Sequence, residues 1–578
     1  MSKEVKRNFL GTISGILILG LIFSLILGIK RSSQNVKADS VTTSVTVINS
    51  APQWMVYPFE DPASATTTPT NVGTQVTFKA VATDANADSY YLAVCKSADI
   101  TPNPNNPPTC TNGDWCISSL TNSGATATCS YLVQESDTNE TYQWYAYVCD
   151  SYVGQPLCSP VSTGTDATSG SPFVVNHRPN FSLVSNNSPK DPGQTITWTT
   201  TSSDPDTIRG GDTVKLFVCS TNGFDPQTGC SSTTLATSTF VASNPSASYS
   251  IPIPKPDMTY DGYVFIIDEF NLAATGTAQG SNSQWIVNNV PPEIVTSSIQ
   301  ILNHDNSTDY LTLINEEGTT TGYKVRYQIK DNNSCWAQGG SNEIAGVSVN
   351  VFRTGVTCNS PNANNNNCYP DITDLTLESC GGPDDIEVWA TTTFTLWYHA
   401  EPTVTSTPWE TQIWNASVRA TDNNGSSSAQ VTGENPIELQ ALLALGIAES
   451  QINYGSIIPE QQSDQQTTTI KATGNTGIDQ DLGGNPMVSG PNSIPVEKQY
   501  WYLTSGTNWG ELPTSTYRNF LSASTSPVYC QIEVKKSTST TPASKPNYWR
   551  IKVDTTQPRG LYTGMNYFYA RMSATSTW

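Results

Sequence analysis

The chain has 578 residues and a formal net charge of −21, from 28 basic and 49 acidic residues. This length indicates several domains, and the acidic balance argues against a nucleic-acid binder, which needs a basic face to meet phosphate. Only 13% of residues are charged. The other polar residues are Ser, Thr, Asn and Gln, which suit solvated faces of antiparallel sheets. We therefore expect an all-β protein.

Residues 1–40 are predicted to be a signal peptide or membrane anchor. A basic flank at residues 3–7 precedes an uncharged, mostly apolar run from Phe9 to Ile29, about 21 residues and long enough to span a bilayer. The stronger positive flank keeps the N-terminus inside and exports the rest of the chain. Cleavage after Ala38 and retention as an uncleaved anchor are both compatible with the sequence.

A short phrase recurs three times along the chain. It reads Val47-Ile48-Asn49-Ser50-Ala51-Pro52, Val175-Asn176-His177-Arg178-Pro179 and Val287-Asn288-Asn289-Val290-Pro291. The apolar pair ends a strand, Asn turns the chain and Pro prevents further sheet pairing. The repeat predicts similar modules in series. We place them at 41–176, 177–288 and 289–435, and a different C-terminal β-sandwich at 436–578.

The first two modules align residue by residue. Leu92–Cys95 matches Leu216–Cys219, and Tyr145–Asp150 matches Tyr263–Asp268. Residues 77–81 alternate polar and apolar side chains, which is typical of a half-buried strand. About seven such strands in about 110–130 residues indicate an immunoglobulin-like β-sandwich.

The last two modules show the same kind of strand with different connections. Val347–Phe352 and Ile413–Asp422 alternate in the third module, and a cysteine-bound loop is inserted at 359–383. In the C-terminal sandwich, the period-two spacing of apolar residues over 437–447 favours a strand over a helix. Tyr567–Met572 is predicted to be a closing strand.

Thirteen cysteines fit an exported chain, because disulfides persist outside the cytoplasm. Each of the first three modules holds an even number. Cys219 and Cys230 have only each other, and the alignment then favours Cys95 with Cys110. A hairpin staple of Cys149 with Cys158 leaves Cys116 with Cys129, although six cysteines allow fifteen connectivities. In the third module we favour two pairs: Cys335 with Cys380, and Cys358 with Cys368. Cys530 is left as a free thiol. We favour a buried thiol, because free Cys packs as a small apolar group, and the alternatives are an intermolecular disulfide and lipid attachment.

Several segments resemble the tandem immunoglobulin-like and fibronectin-type-III-like surface proteins of bacteria, and especially exported proteins of uncultivated lineages. The segments are Val148-Cys149-Asp150-Ser151, Val175–Pro179, Asp331–Cys335, Asn366–Pro370, Tyr398–Pro402 and Arg419–Gly425. The resemblance covers about residues 40–578. It implies sandwich folds and a surface location, and it implies no activity.

Two acidic turns are weak calcium candidates. Asp84, Asn86 and Asp88 have the D-x-N-x-D spacing that opens a calcium loop, but Ser89 and Cys95 replace the Gly and Glu that the loop requires. Asp204 and Asp206, with Asp212 nearby, form a similar turn. Calcium between stacked modules would stiffen the array, while ordinary Asx turns explain the same residues. No other cofactor is expected.

Aromatic residues crowd the third module, where they are weak candidates for stacking on sugar rings: Trp389, Trp397, Tyr398, Trp409 and Trp414. In a strand every second one should face the core, which is the default place for an aromatic side chain.

No catalytic motif emerges around the three histidines, His177, His304 and His399, and we do not expect an enzyme. The leading hypothesis is an exported cell-surface protein with a structural or adhesive role, built as a disulfide-stapled stalk. The alternatives are a carbohydrate- or protein-binding surface module and a filament or surface-layer subunit. Expected partners are surface glycans or proteins, and membrane contact is expected only through the N-terminal segment.

Overall fold

The computed structural model describes residues 41–165, 169–208, 210–314, 316–336, 342–506 and 513–578. The predicted signal or anchor segment, residues 1–40, lies outside these ranges. Over the described ranges, none of the helices has the length and apolar character needed to cross a membrane. The described chain is all-β. Its helical residues are three short 3-10 turns, at Thr296–Ser298, Val496–Lys498 and Thr575–Thr577.

The first module is built on two main sheets that share one core. Its strands are β1 (Gln53–Glu60), β2 (Thr70–Asn71), β3 (Gln75–Thr83), β4 (Tyr90–Cys95), β5 (Ile100–Asn103), β6 (Asn106–Cys110), β7 (Asp114–Ile117), β8 (Thr126–Leu132), β9 (Thr141–Tyr142), β10 (Tyr145–Asp150) and β11 (Phe173–Asn176). Sheet β1-β3-β8 faces sheet β10-β4-β7, because Phe78 of β3 and Leu92 of β4 lie in the same buried cluster. A further three-stranded sheet, β2-β11-β9, and a hairpin, β5-β6, accompany them. Two sheets packed on a shared core form a β-sandwich.

The second module repeats this arrangement. Its strands are β12 (Asn180–Asn186), β13 (Thr195–Ser203), β14 (Val214–Cys219), β15 (Phe224–Asp225), β16 (Gly229–Cys230), β17 (Thr234–Thr237), β18 (Ser246–Ser250), β19 (Thr259–Tyr260), β20 (Tyr263–Asp268) and β21 (Trp285–Ile286). Its main sheets are β12-β13-β18 and β17-β14-β20, and two-stranded sheets β15-β16 and β19-β21 accompany them. The register is the same in both modules: Leu216 faces Ile266, as Leu92 faces Val148.

The third module has larger sheets. Its strands are β22 (Glu293–Ile294), β23 (Gln300–Leu302), β24 (Thr320–Lys330), β25 (Ile344–Arg353), β26 (Cys368–Ile372), β27 (Thr376–Leu377), β28 (Glu387–Trp397), β29 (Trp414–Asp422) and β30 (Val431–Thr432). β24 pairs with β28 along its whole length, and β25 pairs with β29 in the facing sheet. Alternate side chains of β24 and β28 are buried, as the pleat of a half-buried strand requires.

The C-terminal segment is a further pair of sheets. Its strands are β31 (Leu445–Ile447), β32 (Gln466–Ala472), β33 (Ile478–Gly484), β34 (Met487–Ser489), β35 (Asn492–Ile494), β36 (Gln499–Tyr502), β37 (Arg518–Phe520), β38 (Ser522–Ala523), β39 (Val528–Val534), β40 (Ser544–Ile551) and β41 (Asn566–Met572). Sheet β31-β32-β40-β36-β37 contributes Trp549 to a core that also holds Ile532 of β39, in the other main sheet.

The strand expected over 437–447 is mostly wrong. Only Leu445–Ile447 forms a strand. Before it, Ile437 and Leu439 make single bridges to Trp414 and Leu311 and lie in the core of the third module. The period-two pattern arises because an extended connection fills that core with alternate side chains, so a sheet is not needed to explain it.

Six disulfides join the pairs favoured above. They are Cys95–Cys110, Cys116–Cys129, Cys149–Cys158, Cys219–Cys230, Cys335–Cys380 and Cys358–Cys368. Every bond closes a loop inside one predicted module. Disulfides in this number are typical of a chain that folds outside the cytoplasm.

Candidate functional site

The recurrent phrase lies against one end of the sandwich that follows it. At the first copy, the Asn49 side chain donates from Nδ2 to Asp150 Oδ2 at 2.9 Å, and the Ser50 N–H donates to Asn86 Oδ1 at 2.9 Å. Asp84 Oδ1 accepts the Asn86 N–H at 2.7 Å. Asp84 Oδ2 and Asn49 Oδ1 are buried and have no hydrogen-bond partner among the described residues.

The second copy makes the same bonds at the corresponding positions. Asn176 Nδ2 donates to Asp268 Oδ2 at 2.7 Å, and the His177 N–H donates to Asp206 Oδ2 at 2.7 Å. The Asp206 N–H donates to Asp204 Oδ1 at 2.9 Å. Asp204 Oδ2 is again buried with no partner in the described part of the chain.

The third copy repeats the frame once more. Asn289 Nδ2 donates to Asp422 Oδ2 at 2.9 Å, and the Val290 N–H donates to Asn333 Oδ1 at 2.7 Å. The Asn333 N–H donates to Asp331 Oδ1 at 2.8 Å. Asp331 Oδ2 and Asn289 Oδ1 are buried, and no described residue bonds to them.

A fifth position adds one more acid to each set. Asp88, Asp212 and Glu343 stand one or two residues before the strand that follows each acidic turn. We call the five positions of each copy a junction cluster: the linker Asn, the Asp after one strand, the residue two positions later, the acid just before the next strand, and the Asp that ends a later strand. In the second cluster, ligand atoms of Asp204, Asp206 and Asp212 all lie within 4.8 Å of one another.

Burial and mutual repulsion make the junction clusters electrostatically strained. Burial, assisted by neighbouring carboxylates, raises the pKa of Asp204 to about 7 and that of Asp268 to about 6. In the third cluster, burial is again the main cause and nearby carboxylates add to it, raising the pKa values of Asp331 and Glu343 to about 7 each. A positive charge at these places would be stabilised.

In the second cluster, His177 lies between an acid of the second module and a carbonyl oxygen of the first. Its Nδ1 lies 2.6 Å from Asp206 Oδ1, and its Nε2 lies 2.6 Å from the carbonyl oxygen of Asp137 in the first module. The hydrogen bond to Asp206 raises the pKa of His177, which favours its charged form. The histidine therefore ties two modules together.

The structure gathers the predicted calcium candidates into two of the three clusters. Asp84, Asn86 and Asp88 lie in the first, and Asp204 and Asp206 in the second, which matches their spacing in the sequence. Sequence reasoning missed the third cluster, because no further acid follows Asp331 and Asn333 within a few residues: Glu343 comes 12 residues after Asp331. The signal was the D-N-N triplet, which occurs at 331–333 and again at 422–424, each time directly after or at the end of a strand.

The aromatic candidates do not form a shared platform. Trp414 and Tyr398 are fully buried, so their role in sugar stacking is ruled out. Trp389 and Trp397 are half-buried on β28, eight residues apart, or about 27 Å along a strand. The Arg326 guanidinium lies 4.0 Å from the Trp389 ring centre. The remaining candidate, Trp409, contacts a neighbouring tryptophan and two cationic side chains of the protein itself.

The free thiol lies in the core of the C-terminal sandwich. Cys530 is buried in β39, where Gln480 Nε2 donates to its Sγ at 3.4 Å. Burial raises the pKa of this thiol to about 12. An intermolecular disulfide or a lipid would need an accessible thiolate, so the structure favours the buried-thiol interpretation.

The remaining histidines are separated from each other. His304 is exposed in a loop, with Nε2 at 3.1 Å from Thr312 Oγ1. His399 is buried, and its Nδ1 lies 3.2 Å from Asn366 Oδ1.

Comparison with known proteins gives similarities to solved structures only. No family model matches the chain, and no curated protein matches it. Fibronectin(III)-like modules of Clostridium thermocellum CbhA align at 14% identity and a TM-score of 0.19, covering 40% of this chain and 94% of theirs. Protocadherin gamma B2 extracellular cadherin domains 1–5 align at 12% identity and a TM-score of 0.22, covering 91% and 81%. A putative membrane anchored protein from Corynebacterium diphtheriae aligns at 12% identity and a TM-score of 0.15, covering 66% and 91%. Similarities of this size carry no conclusion about function.

Proposed function

We propose that the protein is an exported structural or adhesive protein of the cell surface, a disulfide-stapled stalk that spaces or attaches surfaces. The observation that carries this proposal is the bonding across the module junctions. A stalk can hold surfaces apart only if successive modules keep their relative direction, whereas modules on free linkers would fold back on each other.

At the first junction, Glu140 of the first module accepts three hydrogen bonds from the second. The donors are the Thr207 N–H at 2.7 Å, Thr207 Oγ1 at 2.8 Å and the Ile208 N–H at 2.8 Å. Leu272 of the second module packs into the core cluster of the first. Apolar burial and charge-assisted bonds at one joint oppose bending there.

At the last junction, a buried lysine connects the third module to the C-terminal sandwich. Lys536 Nζ donates to Asn366 Oδ1 at 3.0 Å and to the His399 carbonyl at 2.5 Å. Tyr398 Oη donates to the Ser539 carbonyl at 3.0 Å. A buried ammonium is tolerated only where acceptors satisfy it, so this joint is specific in its geometry.

The proposal is tested by protease treatment of intact cells, followed by electron microscopy of the purified full-length chain. We expect cleavage on intact cells and single rods of nearly constant length. Protection on intact cells with cleavage only after lysis would contradict surface exposure. Flexible beads in the micrographs would contradict a stalk, and an ordered lattice in isolated envelopes would favour the surface-layer alternative.

The expected partners, surface glycans or proteins, form part of this proposal. Trp389, Trp397 and Trp409 are the candidates that keep partly exposed side chains. A glycan array of the wild-type protein and the Trp389→Ala, Trp397→Ala and Trp409→Ala variants measures whether these rings bind sugars. Equal signals for all four proteins would remove these rings from any binding surface.

A further inference from the structure

Two carboxylates at the third junction are buried with one oxygen each unpaired. Asp331 is 1% exposed and Glu343 is 3% exposed. Asp331 Oδ2 and Glu343 Oε1, together with Asn289 Oδ1, find no hydrogen-bond partner among the described residues. A buried polar oxygen without a partner costs about 1–3 kcal/mol, and more when it is charged. Three such oxygens at one place indicate a missing positive partner.

The surroundings increase the excess of negative charge. Asp422 is buried at the end of β29, and its Oδ1 accepts the N–H groups of Asn424 and Ser426 at 2.9 and 2.8 Å. Asp257, from the second module, accepts a hydrogen bond from Asn424 Nδ2. The repulsive interactions of Glu343 include Asp257, Asp331 and Asp422.

The described part of the chain shows no cation paired with this cluster. Among the described residues, no ion pair joins Asp257, Asp331, Glu343 or Asp422 to a basic side chain. The neighbouring residues 337–341 contain no Lys, Arg or His. The second cluster differs here, because His177 stands where the third has Val290.

We propose that the third junction cluster binds a calcium ion through Asp331, Glu343, Asp422 and Asn289, with Asp257 joining from the preceding module. All of these donors are carboxylate or amide oxygens, the hard ligands that calcium takes in sets of about six to eight. Magnesium demands near-ideal octahedral geometry and gives up its water reluctantly, which an irregular protein cage does not favour.

The ion would close the joint between the second and third modules. Asp257 contributes from one module and the other four residues from the next or its linker, so binding couples the two.

Of the described acidic residues, only Asp204, Asp206 and Asp212 form a three-carboxylate group within 4.8 Å. The carboxylates of the third cluster must therefore rotate toward the ion. The first cluster, with its unpaired Asp84 and Asn49 oxygens, is a weaker site of the same kind.

The experiment is a calcium titration of the full-length protein after treatment with EDTA, followed by calorimetry. The variants are Asp331→Asn and Glu343→Gln, and the matched control is Asp305→Asn, which changes an exposed acid of the same module. We expect saturable binding to the wild type, and in both variants the loss of one equivalent or at least tenfold weaker binding. The control should bind as the wild type does, and magnesium should compete poorly.

Absence of binding up to about 10 mM calcium would overturn the proposal, since extracellular calcium modules have Kd values of about 10⁻⁴–10⁻³ M. Unchanged binding in both variants would also overturn it. If a variant does not fold, hydrogen exchange of the wild type decides: calcium should slow exchange in the segments that contain Asp331, Glu343 and Asp422, and no slowing there would refute the site. The calcium site is a separate proposal from the stalk, which is tested by surface exposure and by the shape of the molecule.

Discussion

The interface between the third module and the C-terminal sandwich should weaken in acid because of one buried imidazole. Burial and the nearby Lys536 ammonium lower the pKa of His399 to about 4, from an ordinary value of 6.5. Between these two pH values the unfolded chain binds the proton and the folded chain does not, so stability falls as pH falls. The shift of about 2.5 units corresponds to about 3 kcal/mol below pH 4, and to about 2 kcal/mol at pH 5.

The variant that isolates this effect is His399→Phe. The ring of His399 stacks on Trp397, with centres 6.1 Å apart, and meets Tyr398 edge-on at 5.1 Å, contacts that a phenyl ring can also make. His399 Nε2 has no hydrogen-bond partner in the described chain, so its removal costs nothing there. Asn366 Oδ1 loses the imidazole contact but keeps Lys536 Nζ. We expect similar stability for both proteins at pH 7.

Scanning calorimetry of the full-length proteins between pH 7 and pH 4 measures the difference. A domain of this size shifts by about 3 °C per kcal/mol, so the wild-type transition should fall about 10 °C further than that of His399→Phe at pH 4. His304→Phe, which removes an exposed imidazole from the same module, is the control. Parallel pH profiles for the wild type and His399→Phe would refute the argument.

Three further predictions concern a joint, a thiol and a disulfide. Glu140→Ala removes the acceptor of three hydrogen bonds, so amide exchange at 207–208 should quicken at least about tenfold, and unchanged exchange would show that the joint does not depend on this carboxylate. Cys530 should resist iodoacetamide at pH 8 in the native chain and react once the chain is unfolded in guanidinium, because its pKa is raised to about 12 and the thiolate is the nucleophile; rapid native labelling would contradict its burial. The Cys219–Cys230 bond has a sequence separation of 11, so the Cys219→Ser, Cys230→Ser double variant should lose about 3 kcal/mol of unfolding free energy, measured by denaturant titration, and an unchanged midpoint would count against the bond.

Most of the strands could be predicted from local side-chain patterns in the sequence. The strands of the first two modules were predictable because Thr77–Val81 and its counterpart are half-buried and their alternation reflects the pleat directly. The pattern over 437–447 failed for a physical reason: an extended connection lying on a core buries alternate side chains as a strand does. A continuous ladder of backbone hydrogen bonds distinguishes a strand from this connection, which makes only isolated bridges at Ile437 and Leu439, and the side-chain pattern does not show that difference.

The site was predictable only where its members are neighbours in the chain. Asp84, Asn86 and Asp88 form a contiguous motif, and their spacing pointed to oxygen ligands. Glu343 and Asp422 meet only because β25 and β29 are adjacent antiparallel strands, so their proximity depends on register. No spacing rule along the sequence contains that information.

The three junction clusters share one hydrogen-bonded frame but differ in the charged side chains around it. Each linker Asn donates to the Asp that ends a strand, at 2.7 to 2.9 Å in all three copies. This hydrogen bond fixes where the linker lies, and it does not determine which residues occupy the other positions of the cluster. The second copy places His177 against its acids, whereas the third places Val290 at that position. Since an uncompensated carboxylate cannot be buried cheaply, the calcium ion proposed above would supply the positive charge that the described residues do not pair with the third copy, and calcium should then stabilise the joint between the second and third modules.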